Sequence, residues 1–208
     1  MEGKDAMTDD DFFRLTLLIV AAPFVPFALY HRIRSRTDEK LDRWQEGAFM
    51  LFALRLSGLP FFIGAMAWLI RPQWMAWSSV PLPFWLRWIG LGIVALWGVL
   101  LVWTFHHLGK NLTDTVVTRK DHTLVTTGPY RYVRHPFYLA FAVAIAGGSL
   151  VAANWFLFLA GCLPFGFLVA RTRIEEEKLV ERFGDEYRGY MARTGRFLPR
   201  RRGSLTRL

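Results

Sequence analysis

Cys162 is the only cysteine among 208 residues. That scarcity excludes an intramolecular disulfide and any metal cluster built on cysteine. The N-terminus has neither a basic n-region nor a small-residue cleavage site, so the first apolar run reads as a retained helix and not a signal peptide. Internal repeats and low-complexity segments are absent. Lysine is scarce too, with 5 Lys against 21 Arg, a bias that points toward a bacterium. No base-reading module accompanies the net charge of +9, so no nucleic-acid partner is expected. The pair His106-His107 has no carboxylate pattern beside it, and neighbours on a helix point about 100° apart, so no metal site is expected either.

What is abundant is apolar. A hydrophobic fraction of 53% and 9 tryptophans are too much for a small soluble core and fit a membrane protein. Runs of about 20 residues, enough to cross a bilayer, occur at residues 12–30, 48–70 and 84–105. Two shorter runs follow, 137–153 and 155–170, and little more than Asn154 separates them, which predicts a tight helical hairpin. The expected fold is therefore all-α and integral to the membrane, with five transmembrane helices. Lys and Arg concentrate in the loops 31–45 and 106–136 and after the fifth span, which by the positive-inside rule places the N-terminus outside and the C-terminus in the cytosol. The same distribution accounts for the net charge and predicts attraction to anionic lipid. Residues 1–208 form one membrane domain: three N-terminal spans within 1–105, then a region 106–208 holding the hairpin 137–170 and a cytosolic tail 171–208.

Along the chain, the charged loop 31–45 predicts a short amphipathic surface helix. Arg55 lies well inside an apolar run, where an arginine faces the bundle interior or reaches back to the interface. Pro60 predicts a kink, and residues 71–83, with Trp74 and Trp77, an interfacial aromatic loop. Within the polar segment 113–127, residues 116–127 fit a short ordered loop or ribbon. The fourth span is rich in small residues, a face that allows either close helix packing or room for a ligand.

Chemistry concentrates in two stretches. In Gly128-Pro129-Tyr130-Arg131-Tyr132-Val133-Arg134-His135-Pro136-Phe137-Tyr138, Pro136 pushes His135 out of the helical region and suits the first position of a new helix. Arg134 and His135 then stand at a helix mouth, which favours an anion. In the tail, Arg171, Glu175, Leu179 and Phe183 share one stripe that should face the protein, while Arg173, Glu177 and Glu181 form a solvated one. Gly184 predicts a break, after which the chain can fold back toward the loop.

Taken together, His122-Thr123-Leu124-Val125-Thr126-Thr127-Gly128-Pro129-Tyr130, then Arg134-His135-Pro136-Phe137-Tyr138, then Arg171 with Glu175-Glu176 and Phe183-Gly184-Asp185-Glu186-Tyr187, resemble the isoprenylcysteine carboxyl methyltransferase family. The resemblance covers about the C-terminal half and matches the compact prokaryotic-type members. It implies an integral membrane methyltransferase using S-adenosyl-L-methionine, bound in a cytosolic pocket formed by the loop before the last hairpin and by a C-terminal helix. Cofactor contacts are implied for His122, Thr123, Leu124, Val125, Tyr130, His135, Pro136, Phe137, Tyr138 and Glu175, and substrate orientation for Arg171. The family's glutamine before the His-Thr-Leu-Val stretch has only Thr118 as its nearest equivalent here.

The residue chemistry agrees with these roles. The helix mouth could hold the cofactor carboxylate, Glu175 its ammonium, and Tyr130 or Tyr138 could lie near the sulfonium. The expected substrate is a lipophilic molecule entering from the bilayer, most simply a carboxylate of the isoprenylcysteine type, and the expected location is a bacterial inner membrane. An NADPH-dependent membrane reductase of the sterol reductase type and a non-enzymatic accessory protein are the alternatives.

Overall fold

The computed structural model describes residues 7–34, 48–109 and 123–200. Among them run seven α-helices: α1 Asp9–Ala21, α2 Phe24–Arg34, α3 Ala48–Ile70, α4 Phe84–Leu108, α5 Pro136–Ala152, α6 Trp155–Phe183 and α7 Asp185–Arg193. Four stretches are long and apolar enough to cross a membrane: Asp9–His31, Ala48–Ile70, Phe84–Leu108 and Trp155–Phe183; Pro136–Ala152 is apolar but shorter. Each of the five apolar runs read from sequence thus lies on helix. The surface agrees, because large apolar side chains such as Phe49, Ile63, Trp85, Val99 and Leu159 stay exposed on these helices, an arrangement that water penalises and lipid does not.

The first run is not one unbroken helix. It divides at Ala22-Pro23 into α1 and α2, since neither Pro23 nor Pro26 can donate to the helical ladder. Pro60, by contrast, lies inside α3 without ending it. Arg55 is exposed on α3, so of its two expected placements the bundle interior is excluded. The surface helix expected from 31–45 falls outside the described residues beyond Arg34, as does the loop or ribbon expected at 116–127 up to residue 122.

The helices pack in the lateral order α1 and α2, α4, α5, α6, α3, with α4 against α5 as the most extensive contact. The small residues of α5 serve that contact. A Cβ on Gly147 would come within 2.8 Å of Ile93 Cγ2, and one on Gly90 within 2.9 Å of the Val151 amide, so close backbone approach accounts for these glycines.

One end of the bundle is held by the α5–α6 hairpin. Ala153 turns the chain with φ +48, and Asn154 Oδ1 caps α6 by accepting from the Leu157 amide at 3.1 Å. The same side chain donates from Nδ2 to the Met75 carbonyl at 3.2 Å and to Ser78 Oγ at 2.8 Å. It thereby fixes the 3-10 turn Pro72–Ser78 within the aromatic loop. Nearby, Arg87 is buried on α4. Its Nε donates to the Val151 carbonyl at 2.9 Å, its Nη2 lies 2.8 Å from Asp10 Oδ1, and its guanidinium stands 4.2 Å from the centre of the Phe13 ring. A buried cation needs such partners, and here they lock α1 to α4 and α5 around the core of Phe13, Trp68, Leu91, Val94 and Leu157. The opposite end, where α4 stops, α5 begins and α6 continues, carries the candidate site.

Candidate functional site at the mouth of α5

The approach to α5 is a 3-10 turn, Gly128–Arg131. Gly128 has φ +60, a conformation open to glycine at little cost. Pro129 follows, and its carbonyl accepts from the amides of Tyr132 and Val133 at 3.1 and 3.2 Å. His135 then takes φ −122 and ψ 61, outside the helix, with Pro136 as the first helical residue, as a residue before proline should. The first amide bonded within α5 is that of Leu139, to the His135 carbonyl. The first turn of α5 thus presents the positive end of the helix dipole at this mouth.

The amides of Arg134 and His135 are used differently from the expectation of a wholly open mouth. They donate to the carbonyls of Gly195 and Arg196 at 2.9 and 3.1 Å. The tail returns to the site as follows. Gly184, at φ +56, ends α6; α7 then runs to Arg193 with Tyr187 and Tyr190 buried. The segment after it lies parallel to the approach through a bridge between Val133 and Gly195. Tyr190 adds a hydrogen bond from its hydroxyl to the Tyr130 carbonyl at 2.6 Å.

Two adjacent glutamates on α6 divide the site. Glu176, 4% exposed, is the hub of a cationic cluster. Oε1 accepts from Arg134 Nε at 2.8 Å, from His135 Nε2 at 3.2 Å and from Arg196 Nε at 3.2 Å, and Oε2 accepts from Arg196 Nη2. Arg134 Nη1 further donates to the carbonyls of Met191 and Thr194. So placed, the buried carboxylate is compensated by charge and by directed donors.

Glu175 keeps an accessible side chain, 28% exposed. Its Oε2 accepts from the Tyr138 hydroxyl at 2.8 Å and lies 3.8 Å from His135 Nδ1. The His135 and Tyr138 rings stack nearly parallel, 5.4 Å apart at 4°. Burial pushes the Tyr130 phenol well above its ordinary range, with the Glu175 charge acting in the same direction, which puts Tyr130 within reach of that carboxylate's field. Arg171 is buried one helical turn before Glu175.

The structure therefore brings His135, Tyr138, Glu175 and Tyr130 together, with Arg171 on the same stripe of α6. Pro136 is buried at the helix start. Phe137 is on another face of α5, stacked on Phe105 at 5.8 Å and 15°. Leu124 and Val125 are half-buried and Thr123 is exposed in the stretch leading to the turn; His122 and Thr118 lie outside the described residues. The stripe of Arg173, Glu177 and Glu181 is exposed, as its solvated character required. The hub role of Glu176 and the part of Arg196 were not read from sequence. The signal available was only the doubled acid of Glu175-Glu176, whose members must point about 100° apart on a helix.

The two adjacent histidines of α4 also diverge. His107 Nδ1 donates to the Trp103 carbonyl at 2.9 Å and its ring packs on Gly128. His106 lines a cavity of about 210 Å³ with His31, Arg34 and Gly109. Among the described residues no group of three or more potential metal ligands occurs.

Residues 88–181 match the model of the isoprenylcysteine carboxyl methyltransferase (ICMT) family. The protein-S-isoprenylcysteine O-methyltransferase of Schizosaccharomyces pombe is 34% identical over 94 residues, 44% of this chain and 40% of that protein. The chain thus spans well under two thirds of this relative. The methanethiol S-methyltransferase of Pseudomonas deceptionensis is 26% identical over 201 residues, 89% of this chain and 73% of that protein. In fold, the chain is similar to the solved eukaryotic intramembrane Ras methyltransferase ICMT, with a TM-score of 0.53 at 22% identity, over 88% of this chain and 67% of that one.

Proposed function

Since residues 88–181 match the model of the isoprenylcysteine carboxyl methyltransferase family, we propose that this protein is an integral membrane methyltransferase of that family. It takes its methyl group from S-adenosyl-L-methionine and delivers it to a lipophilic acceptor that enters from the bilayer. The carrying observation is the split between the adjacent glutamates: Glu176 is consumed by Arg134, His135 and Arg196, whereas Glu175 stays accessible beside Tyr138.

The residues fit this methyl donor. Glu175 suits the ammonium, the positive end of the α5 dipole suits the carboxylate, and Tyr130 and Tyr138 offer aromatic surroundings for a cation. When bound, the donor supplies an electrophilic methyl on sulfur, and the displacement is in line, so the protein contributes orientation and exclusion of water. An acceptor carboxylate needs no general base, and Arg171 would hold it with a planar fork. A nucleotide phosphate would instead need free cations, and Arg134 and Arg196 are both committed to Glu176, which argues against NADPH. The mouth of α5 faces the cytosol of a bacterial inner membrane in this reading, with anionic lipid attracted to the basic flanks.

A second reading keeps the donor and changes the acceptor to a thiol. The observation that favours it is the match to a methanethiol S-methyltransferase along 89% of the chain. Calorimetry of S-adenosylhomocysteine and of NADPH on the purified protein, repeated with Glu175→Ala, tests the donor. Homocysteine-adduct binding that disappears in the variant supports the proposal, and binding of NADPH alone defeats it. Labelled donor offered with a prenylated cysteine or with methanethiol then separates the acceptors, because an ester product is cleaved by base and a thioether is not.

A further inference from the structure

The mechanism outlined above leaves the segment after α7 without a task, yet its placement is specific. Thr194 ends α7, its hydroxyl donating to the Tyr190 carbonyl at 2.6 Å. The carbonyls of Gly195 and Arg196 then take the amides of Arg134 and His135. The Arg196 side chain reaches both oxygens of Glu176, and that contact holds its guanidinium above the ordinary arginine range. Phe197 lies 5.9 Å from the His135 ring, which stacks on Tyr138 at 5.4 Å. Backbone, ion pair and ring thus all join this strap to His135.

From this geometry we infer that Arg196 is a positioning residue for the cofactor site: by clamping Glu176 it seats the 194–197 strap along 133–135 and so fixes the imidazole of His135 against Tyr138 and Glu175. The inference rests on the methyl-donor reading and extends it to a part of the chain outside the matched family region, which ends at residue 181. Arg196 touches no reacting atom in this arrangement. Its effect passes through Glu176 and the two amides, so it should appear as affinity for the donor and not as loss of the fold. Its side chain is 36% exposed, and truncation leaves no buried cavity.

The test uses the full-length protein in detergent as wild type, Arg196→Ala and Arg196→Lys, with S-adenosylhomocysteine as the probe. Arg196→Ala should weaken binding by about tenfold, the equivalent of one charged hydrogen bond, with a melting temperature lowered by only about 4 °C, because Arg134 and His135 keep Glu176 Oε1 paired. Amide exchange at Arg134 and His135 should quicken by about tenfold as their acceptors drift, and Arg196→Lys should restore most of both. Unchanged exchange and affinity in Arg196→Ala overturn the inference alone. Weakened binding that tracks a larger fall in melting temperature and is not rescued by lysine also overturns it, because it marks a merely structural contact. A wild-type protein that binds no S-adenosylhomocysteine overturns the donor reading and this inference with it.

Discussion

His107 occupies the space that a side chain on residue 128 would need: a Cβ built on Gly128 would come within 2.4 Å of the imidazole Cδ2 and Cγ, and Gly128 itself stands at φ +60. Two independent reasons therefore require glycine, the left-handed backbone and the ring of a residue at the end of α4. Gly128→Ala should lower stability by about 2 kcal/mol or more, combining the left-handed penalty with a clash that the His107–Trp103 bond prevents from relaxing. It should also weaken S-adenosylhomocysteine binding, since the turn aims Tyr130. A variant with wild-type melting temperature and affinity would show that the turn is not held this way.

Glu175 and Glu176 invite opposite outcomes from the same chemical change. Glu176→Gln removes a buried charge held by Arg134, Arg196 and His135, at about 3–5 kcal/mol, and should appear as a lower melting temperature. Glu175→Gln, at an accessible position where the Tyr138 hydroxyl donates to it, should leave the melting temperature nearly unchanged. Its effect should be on S-adenosylhomocysteine, weakened by about tenfold or more. Denaturation curves and calorimetry on the two variants check the split, and equal melting temperatures with equal affinities would end it.

Much of this arrangement is legible in the chain of letters because it obeys local rules. Pro136 dictates the conformation of His135, the single Asn154 between two apolar runs dictates the hairpin, and the i, i+4 spacing of Arg171 and Glu175 puts both on one stripe. Gly184 likewise announced the break that lets α7 return. What stayed hidden depends on contacts between distant segments. Nothing near Arg196 says that it will meet Glu176, twenty residues earlier, and nothing near Arg87 says that packing will place Asp10 and Phe13 around it. Composition alone left the small residues of α5 undecided between packing and ligand; the position of Gly90 opposite Gly147 decides for packing. The break at Pro23 was masked by continuous hydrophobicity, which carries no information about backbone donors.

Arg171 bears on turnover more than on donor binding in the proposed function. Arg171→Ala should reduce the rate with a carboxylate acceptor by about a hundredfold, the scale of a lost orientation, while S-adenosylhomocysteine affinity stays within about threefold. Rate and affinity measured on one preparation decide this. A loss of donor affinity as large as the loss of rate would merge the roles of Arg171 and Glu175.

Alkaline stability follows from the buried tyrosines of α7. Burial raises the Tyr190 phenol to about 12 from an ordinary value of 10.0, and Tyr187 is raised as well. The neutral phenol is the form that the fold accommodates, whereas the unfolded chain ionises near the ordinary value. Stability from this source is thus complete below about pH 10 and is lost as pH rises toward 12. Melting temperatures should fall across that window, and Tyr190→Phe should shrink the fall while giving up the bond to the Tyr130 carbonyl. A melting temperature flat from pH 9.5 to about 11.5 would mean that these phenols are not buried in solution.

Asn154 tests the opposite end of the bundle, where stability and chemistry should separate. Its side chain caps α6 through Oδ1 and ties the Met75 carbonyl and Ser78 hydroxyl through Nδ2, all at 3% exposure. Asn154→Ala forfeits the cap and both tethers, a loss of about 2–4 kcal/mol when a cap of about 1 is added to two buried bonds. Asn154→Ser retains a capping oxygen but not the amide donors, and should fall between alanine and wild type. Neither change reaches the mouth of α5, which lies at the other end of the α5 helix, so S-adenosylhomocysteine affinity measured well below the melting temperature should stay within about twofold of wild type. If affinity fell together with stability in both variants, the hairpin and the site would have to be one cooperative unit, and the rigid lateral packing of α4 on α5 through Gly90 and Gly147 would be the path that couples them.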